Sequence, residues 1–278
     1  MAERRIILKS ARELSIMREA DRIVADTLVL LADNVRPGVT TRELNGLATD
    51  YVLRRGAMPS FPLVNFDGTI CISVNDEIVH GIPGRRVLRE GDIVSLDLGV
   101  IYQGWHGDAA ITVPVGEIGV EARHLLAVTE KALALAIAQV RPGGHLHDIG
   151  GAVEDLVTAE HMGLVRQYVG HGIGREMHEE PQVHNYRPPK GGRGPVLRPG
   201  MVLAIEPMVN IGTAETVTLS DKWTVVTKDG SYSAHFEHSV AVTSQGYEIL
   251  SRPSDPSRMW GDPADYGLVR QESLEKLG

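Results

Sequence analysis

Hydrophobic residues recur at helical spacing in two pairs of segments. The first pair covers residues 10–34 and about 40–55, and its helices open with capping boxes at Ser10 and Thr40. The second pair covers about 119–139 and 147–161. The leading helix of each pair ends at the same four letters, Val-Arg-Pro-Gly, which stop a helix because proline lacks an N–H. The pattern therefore predicts two similar helix pairs.

Short apolar runs predict strands at about 70–74, 92–100 and 105–114, after a loop over residues 56–69 that is rich in Pro, Gly and Asn. Two more sequence echoes follow in the second half, in unchanged order. His80-Gly81-Ile82 recurs as His171-Gly172-Ile173, and the strand with Asp97 recurs as one with Glu206. Three collinear echoes indicate a duplicated unit.

We therefore expect a pseudo-symmetric α+β fold built from two repeated halves, about 10–114 and 119–245. Both halves would form one domain over residues 1–251, with the functional site at their junction. Residues 252–278 are polar and initially rich in proline, so they are predicted to form a C-terminal surface tail.

Two carboxylates interrupt the apolar run Asp92 to Asp108. A two-residue turn at Tyr102-Gln103 would place Asp97 directly opposite Asp108 in a hairpin, with Cβ atoms roughly 4.5–5.5 Å apart. Like charges in an apolar environment repel, so this pair requires either a shared proton or a cation.

Composition excludes several classes of protein. The 278 residues carry a formal charge of −8, which argues against a dedicated nucleic-acid binder. No apolar run reaches the ~20 residues of a membrane span, and the N-terminus lacks the apolar core of a secretory signal. A single cysteine, Cys71, rules out a disulfide framework, and we expect a cytoplasmic protein.

The second half supplies further candidate ligands within strand-like runs. Glu206 is the counterpart of Asp97, Glu237 matches Asp108, and His171 lies between two glycines. Four buried carboxylates cannot all ionise without cations, because each unpaired buried charge costs several kcal/mol. Four carboxylates with one imidazole suit two divalent ions, such as Mn, Fe, Co or Zn, about 3.5–4 Å apart. The alternative is that individual acids pair with surface Arg or Lys.

Several short motifs together indicate a family. They are Ile72-Ser73-Val74-Asn75, His80-Gly81-Ile82-Pro83, Gly104-Trp105-His106-Gly107-Asp108, Gly170-His171-Gly172-Ile173-Gly174, His178-Glu179-Glu180-Pro181, Glu206-Pro207-Met208 and Phe236-Glu237-His238. On these residues the chain, over about 10–250, resembles the type I (bacterial) methionine aminopeptidases of the pita-bread metallopeptidase superfamily. The resemblance implies a pseudo-two-fold pita-bread fold, with helices packed on one face of a central antiparallel sheet.

The resemblance also implies a mechanism. Asp108 and Glu237 would bridge two divalent ions, Asp97 would complete one site, and His171 with Glu206 the other. A water between the ions would supply hydroxide to attack the first peptide bond. Glu206 would shuttle the proton, while two further histidines would bind the scissile amide and the tetrahedral intermediate. These histidines are His80 and His178.

The family's methionine pocket maps to Cys71, Phe66, Met177 and Trp223. The chain departs from the family pattern at two places. Residues 59–68 lack the usual Gly-Tyr-x-Gly-Phe/Tyr-Pro. His235 stands where Gln is usual, and we expect it to change hydrogen bonding near Glu237.

The expected activity is removal of the initiator methionine from nascent chains with a small second residue, by a monomer. One alternative is an X-Pro peptidase of the same fold, although those relatives usually carry a large N-terminal domain, and the first helix here begins near Ser10. The other alternative is a non-catalytic pita-bread binding module, although all five ligands are kept. A basic loop could approach the ribosome surface or simply be solvated; its cationic residues are Arg187, Lys190, Arg193 and Arg198.

Overall fold

The computed structural model describes residues 5–190 and 192–268. Four α-helices occur in this part of the chain, close to the predicted positions: α1 (Ala11–Asn34), α2 (Thr41–Arg54), α3 (Val120–Ile137) and α4 (Leu146–Ala159). Both predicted capping boxes form, since Ser10 and Thr40 each exchange hydrogen bonds with the glutamate three residues later. Within the described residues, no helix is both long and apolar enough to cross a bilayer.

The described strands are mostly short. They are β1 (Met58–Pro59), β2 (Cys71–Val74), β3 (Glu77–Val79), β4 (Ile93–Tyr102), β5 (Trp105–Pro114), β6 (Gly163–Leu164), β7 (Gly170–Gly172), β8 (Glu179–Val183), β9 (Val202–Ile205), β10 (Met208–Asn210), β11 (Thr216–Thr218), β12 (Val225–Thr227), β13 (Ser233–His235), β14 (Glu237–Val242) and β15 (Tyr247–Ile249). Short 3₁₀ helices form at Phe61–Val64, Pro256–Arg258 and Pro263–Tyr266.

The main sheet is antiparallel, with strand order β1-β4-β5-β14-β9-β7-β8; β2 also pairs with β4, and β15 with β14. The β5–β14 contact lies at its centre. On one side β5 pairs with β4, and on the other β14 pairs with β9. The strands β4 and β5 of the first half therefore correspond to β9 and β14 of the second half, on opposite sides of the centre of the sheet. This is the pseudo-two-fold arrangement expected from the repeats.

Helix α1 packs closely on β4 and β5. A Cβ on Gly107 of β5 would lie 2.5 Å from the backbone nitrogen of Asp21, so only glycine permits this approach. The helices and the sheet enclose a continuous apolar core that includes Leu28, Leu96 and Ile205.

The hairpin register differs from the prediction. The two turn residues are Gln103 and Gly104, not Tyr102 and Gln103, and both have positive φ, 50° and 78°. A two-residue turn of this kind needs positive φ at both positions, and glycine meets that need without strain. Consequently Asp97 lies opposite Ala110, and Asp108 lies opposite Gly99. The shift is by two residues, so both carboxylates remain on one face of the sheet.

Residues 252–278 were predicted to form a surface tail, but part of this segment is buried. Trp260 is buried against the main core and stacks on His238, with ring centroids 4.7 Å apart. Nε2 of His238 donates to the backbone oxygen of Trp260 at 2.7 Å. Arg258 contacts Asp33 of α1, and the backbone N–H of Gly261 donates to Glu130 of α3. The tail therefore joins helices of both halves; residues 269–278 lie outside the described part.

We expect Trp260→Ala to lower the free energy of unfolding by about 3–5 kcal/mol, because it removes a buried aromatic ring and leaves a cavity. Urea denaturation of the metal-free protein measures the change. Val120→Ala, at an exposed position on α3, is the matched control and should change stability by less than about 0.5 kcal/mol. Equal stability of Trp260→Ala and the parent chain would show that the tail does not support the core.

Candidate metal centre

Sheet register brings the five predicted ligands to one face. Asp97 and Glu237 both lie opposite Ala110, on either side of β5. The β9–β14 register, continued by one residue, places Glu206 opposite Glu237. Asp97, Ala110, Glu237 and Glu206 therefore form one row across the strands, and the two remaining ligands lie two residues from it. Asp108 is two residues before Ala110, and His171 pairs with Ala204, which is two residues before Glu206. Because side chains alternate along a strand, all five point to the same side.

The side chains converge at the junction of the halves. One ligand atom from each of Asp108, His171 and Glu237 lies within 4.8 Å of the others, and all three residues are buried. Nε2 of His171 is 3.7 Å from Oδ2 of Asp108 and 3.6 Å from Oε1 of Glu206. Asp97 adds a carboxyl on the neighbouring strand, in the same cross-strand row as Glu237.

The hydrogen bond of His171 fixes which ring nitrogen carries the proton. Nδ1 lies 3.0 Å from the backbone oxygen of Gly172, and a carbonyl can only accept, so Nδ1 is the protonated nitrogen. The lone pair of Nε2 then faces Asp108 and Glu206. Burial, with the neighbouring His178, lowers the pKa of His171 to about 3, so the ring is neutral at pH 7. A neutral imidazole with a free Nε2 is the form that binds metal ions.

Burial also raises the pKa of the carboxyl groups. It raises the pKa of Asp97 to about 7. Burial, followed by the charges of neighbouring acids, raises the pKa of Asp108, Glu206 and Glu237 well above the usual range. The shared cause is that burial removes the water that would stabilise a charged carboxylate; repulsion between neighbouring acids adds to it at Asp108, Glu206 and Glu237.

The donor set fits divalent cations. Oδ1 of Asp108 and Oε1 of Glu237 are buried and have no hydrogen-bond partner in the part of the chain described here. Leaving buried carboxylate oxygens unpaired is costly, and a cation would remove both that cost and the repulsion. Oxygen donors with one imidazole suit Mn, Fe, Co or Zn. No arginine or lysine pairs with these acids among the described residues, which disfavours the surface-pairing alternative.

Two further predicted histidines lie beside this cluster. The ring of His178 is 4.4 Å from that of His171, centroid to centroid. His80 has positive φ, 60°, and its ring makes edge contacts with Tyr168 and Trp223. Burial, followed by the effect of His178, lowers the pKa of His80 to about 4, so this ring is also neutral at pH 7.

The predicted pocket residues lie near the same face. Cys71 is opposite Asp97 across the β2–β4 pair. The ring of Phe66 makes an edge contact with that of Trp223, with ring centroids 5.3 Å apart. Met177 lies over Gly99, where a Cβ would come 2.6 Å from the Met177 methyl group. The atypical loop over residues 59–68 therefore still brings Phe66 to the site.

Three residues near the site add to the prediction: the position of His235 is now known, and Tyr168 and Asp21 were missed. Nε2 of His235 lies 3.7 Å from Oε2 of Glu206, and the expected effect of His235 on hydrogen bonding near Glu237 stays a prediction. Tyr168 was missed, although it shortly precedes the Gly170-His171 motif. Asp21 was missed as well; its signal was an acid on the apolar face of α1, between Met17 and Val24.

The fold and the carboxylate-rich cluster define the chain as a metallopeptidase with the pita-bread fold. It belongs to metallopeptidase family M24, whose model matches residues 15–244. A relative from Bacillus subtilis (strain 168), described as methionine aminopeptidase 1, is 51% identical over 248 residues, which is 89% of this chain and 99% of the relative.

Solved structures agree with this family. The crystal structure of methionine aminopeptidase from Thermotoga maritima aligns with a TM-score of 0.86 at 42% identity, covering 89% of this chain and 99% of that one. Prolidase from Pyrococcus furiosus aligns with a TM-score of 0.73 at 22% identity, covering 90% of this chain and 66% of that one, and so shares the fold. The resemblance to methionine aminopeptidases, the pita-bread fold and the prediction of a metal-dependent hydrolase are confirmed.

A pH dependence follows for the metal-free protein. Burial raises the pKa of Asp97 to about 7, compared with ~3.9 in an unfolded chain. Between these values the folded chain holds the proton more tightly than the unfolded chain, so the stability that Asp97 contributes falls as pH rises from about 4 to 7. The buried histidines act in the opposite direction, so the effect must be isolated with a variant.

Urea denaturation in EDTA at several pH values measures this effect. The free energy of unfolding of the parent chain minus that of Asp97→Asn should decrease steadily from pH 4 to pH 7. Asp50→Asn, an exposed position on α2, is the control and should give a nearly flat difference. A flat difference for Asp97→Asn too would contradict the raised pKa.

Proposed function

We propose that this protein removes the N-terminal methionine from nascent peptides whose second residue is small. The observation that carries the proposal is the convergence of Asp108, His171 and Glu237 on one buried point, with unpaired carboxylate oxygens. The high identity to methionine aminopeptidases over nearly their whole length supports the choice of substrate.

The ligand assignment is part of the proposal. Asp108 and Glu237 lie on the two central strands, and, as the family resemblance implies, they would be the ligands shared by two divalent ions. Asp97 would complete the ligand set on the β4 side, and His171 with Glu206 would complete it on the β9 side. The identity of the native ion is left to experiment, since this donor set accepts Co, Mn, Fe or Zn.

The chemistry divides between the ions and the chain's own residues. Two divalent ions at this point would lower the pKa of a bound water and polarise the scissile carbonyl. Glu206 accepts and returns the proton, because burial, followed by the charges of Asp108 and Asp97, raises the pKa of its carboxyl well above the usual range and so favours the protonated form. His80 is neutral and donates to the scissile amide or its oxyanion, and His178, next to His171, does the same from the β8 side.

The side-chain pocket gives specificity for methionine. Cys71, Phe66, Met177 and Trp223 form apolar and polarisable walls next to Asp97 and His80. An unbranched thioether packs well against aromatic edges and sulfur, while a β-branched side chain lacks the reach and the flexibility. Phe66 is buried, so the pocket wall is fixed before a peptide binds.

The wider setting is also proposed. Residues 1–251 act as one catalytic domain of two repeated halves, and the protein works as a monomer in the cytoplasm. The basic loop is poorly suited to the ribosome surface, because Arg187 forms a bidentate ion pair with Asp155 and Arg193 pairs with Asp148. These ion pairs favour the solvated-loop interpretation.

Activity is tested with EDTA-treated protein reconstituted with Mn, Fe, Co or Zn. We expect release of free methionine from peptides that begin Met-Gly or Met-Ala, and none without a divalent ion. A peptide with proline as its second residue after a non-methionine residue serves as the competing substrate. Cleavage of that peptide alone would favour the X-Pro peptidase alternative, and failure to cleave either peptide or bind any ion would favour the binding module.

Ligand variants test the residue assignment. Asp97→Ala and His171→Ala should each lower kcat/KM more than about 100-fold, because a direct ligand is lost. Thermal unfolding of the metal-free variants should stay cooperative. His124→Ala, an exposed histidine on α3, is the control and should keep parental activity. Near-normal turnover by either ligand variant would contradict the assignment.

A further inference from the structure

Helix α1 carries a carboxylate in an unusual position. Asp21 is fully buried on the helix face that packs on the sheet, with Met17, Ala20 and Val24 as its neighbours on that face. Its Oδ1 accepts the backbone N–H of Asp108 at 3.0 Å, and its Oδ2 has no hydrogen-bond partner within the described residues. An apolar side chain would pack here at lower cost, because a buried carboxyl is expensive to desolvate.

Within the described residues, the backbone N–H and C=O of Asp108 have no partner strand and are bound by side chains instead. In the antiparallel β4–β5 pair, alternate residues direct their N–H and C=O groups away from the partner strand. For Asp108 these groups face β14, but the described β5–β14 ladder consists of the pairs at Ala110 and Ala109 and ends before Asp108. Asp21 takes the N–H of Asp108, and Oγ of Ser239 donates to its C=O at 3.0 Å.

The close approach of α1 makes this contact possible. Because Gly107 has no side chain, the α1 backbone at Ala20 and Asp21 rests directly on β5. The short side chain of Asp21 can therefore reach the next residue, Asp108, from the face opposite the ligand cluster. The carboxylate of Asp108 points to the other face, towards His171 and Glu237.

We propose that Asp21, together with Ser239, is a positioning residue for the metal centre: it replaces the missing strand partner of Asp108 and so holds the carboxylate of Asp108 in place. This inference rests on the proposed function, since it takes Asp108 as a metal ligand. Without an acceptor, the buried N–H of Asp108 would either remain unpaired or move to find one. The first result destabilises the ligand position, and the second displaces the carboxylate that lies beside both His171 and Glu237.

The test is Mn²⁺ binding to the EDTA-treated full-length chain by isothermal titration calorimetry, with peptide kinetics alongside. Asp21→Leu removes the acceptor and should weaken Mn²⁺ affinity by about 10–100-fold, as the loss of a partner behind a ligand typically does. Asp21→Asn keeps an acceptor of the same size and should bind within about threefold of the parent. Kinetics at saturating Mn²⁺ should show the change in kcat rather than in KM for the peptide.

Two more variants distinguish a loss of positioning of Asp108 from a general loss of folding stability. Thr27→Val removes another buried polar group of α1, whose hydroxyl donates to Ile23, and should leave Mn²⁺ affinity unchanged. Ser239→Ala removes the donor to the C=O of Asp108 and should weaken affinity in the same direction as Asp21→Leu. If Asp21→Leu does not fold, Ser239→Ala and Asp21→Asn still decide the question.

The outcomes are distinct. Parental Mn²⁺ affinity in Asp21→Leu or in Ser239→Ala would overturn the positioning role. So would an equal loss in Asp21→Asn and Asp21→Leu, because charge rather than the hydrogen bond would then be responsible. Failure of the parent chain itself to bind Mn²⁺ would overturn the proposed function instead.

Discussion

Repulsion among buried carboxylates is the constraint on which this structure depends. The cross-strand row of Asp97, Glu237 and Glu206, with Asp108 beside it, concentrates acidic groups where little water can screen them. Burial raises the pKa of all four carboxyl groups, and the charges of neighbouring acids raise it further for Asp108, Glu206 and Glu237. A site that is this unfavourable when empty is favourable for divalent cations, because the same charges that repel each other attract a cation from several sides. Stability without metal and affinity for metal are therefore opposed properties of one cluster.

The fold builds this cluster economically from two similar halves. Each half contributes a strand pair whose apolar residues face the helices and whose acids face the other side. When β5 and β14 pair at the centre of the sheet, the two acidic rows become continuous. Burial keeps the rings of His171 and His80 neutral at pH 7. Where the central ladder ends, side chains from α1 and β14 take over the backbone groups of Asp108.

Much of this plan could be predicted from local pattern. Helix bounds agreed within a few residues because capping boxes and Pro-Gly stops are local signals. The hairpin turn was placed one residue too early, since apolar alternation alone does not choose between Tyr102-Gln103 and Gln103-Gly104. The requirement for positive φ decides that choice, because Gly104 adopts positive φ without strain. The burial of Trp260 and the position of His235 beside Glu206 depend on contacts between distant segments, which no local pattern encodes.

The sequence by itself determined the donor types, their places on strands and the order of the two halves, because residue chemistry and alternation are local properties. It also carried the family resemblance, since short motifs can be recognised directly in the amino-acid sequence. Tertiary structure alone decided which atoms meet: that Nε2 rather than Nδ1 of His171 faces the acids, and that Asp21 reaches the backbone of Asp108. These contacts depend on how closely α1 settles on β5 and on where the central ladder stops. Both follow from packing of the whole sheet, a balance of many distant interactions that the order of residues does not display.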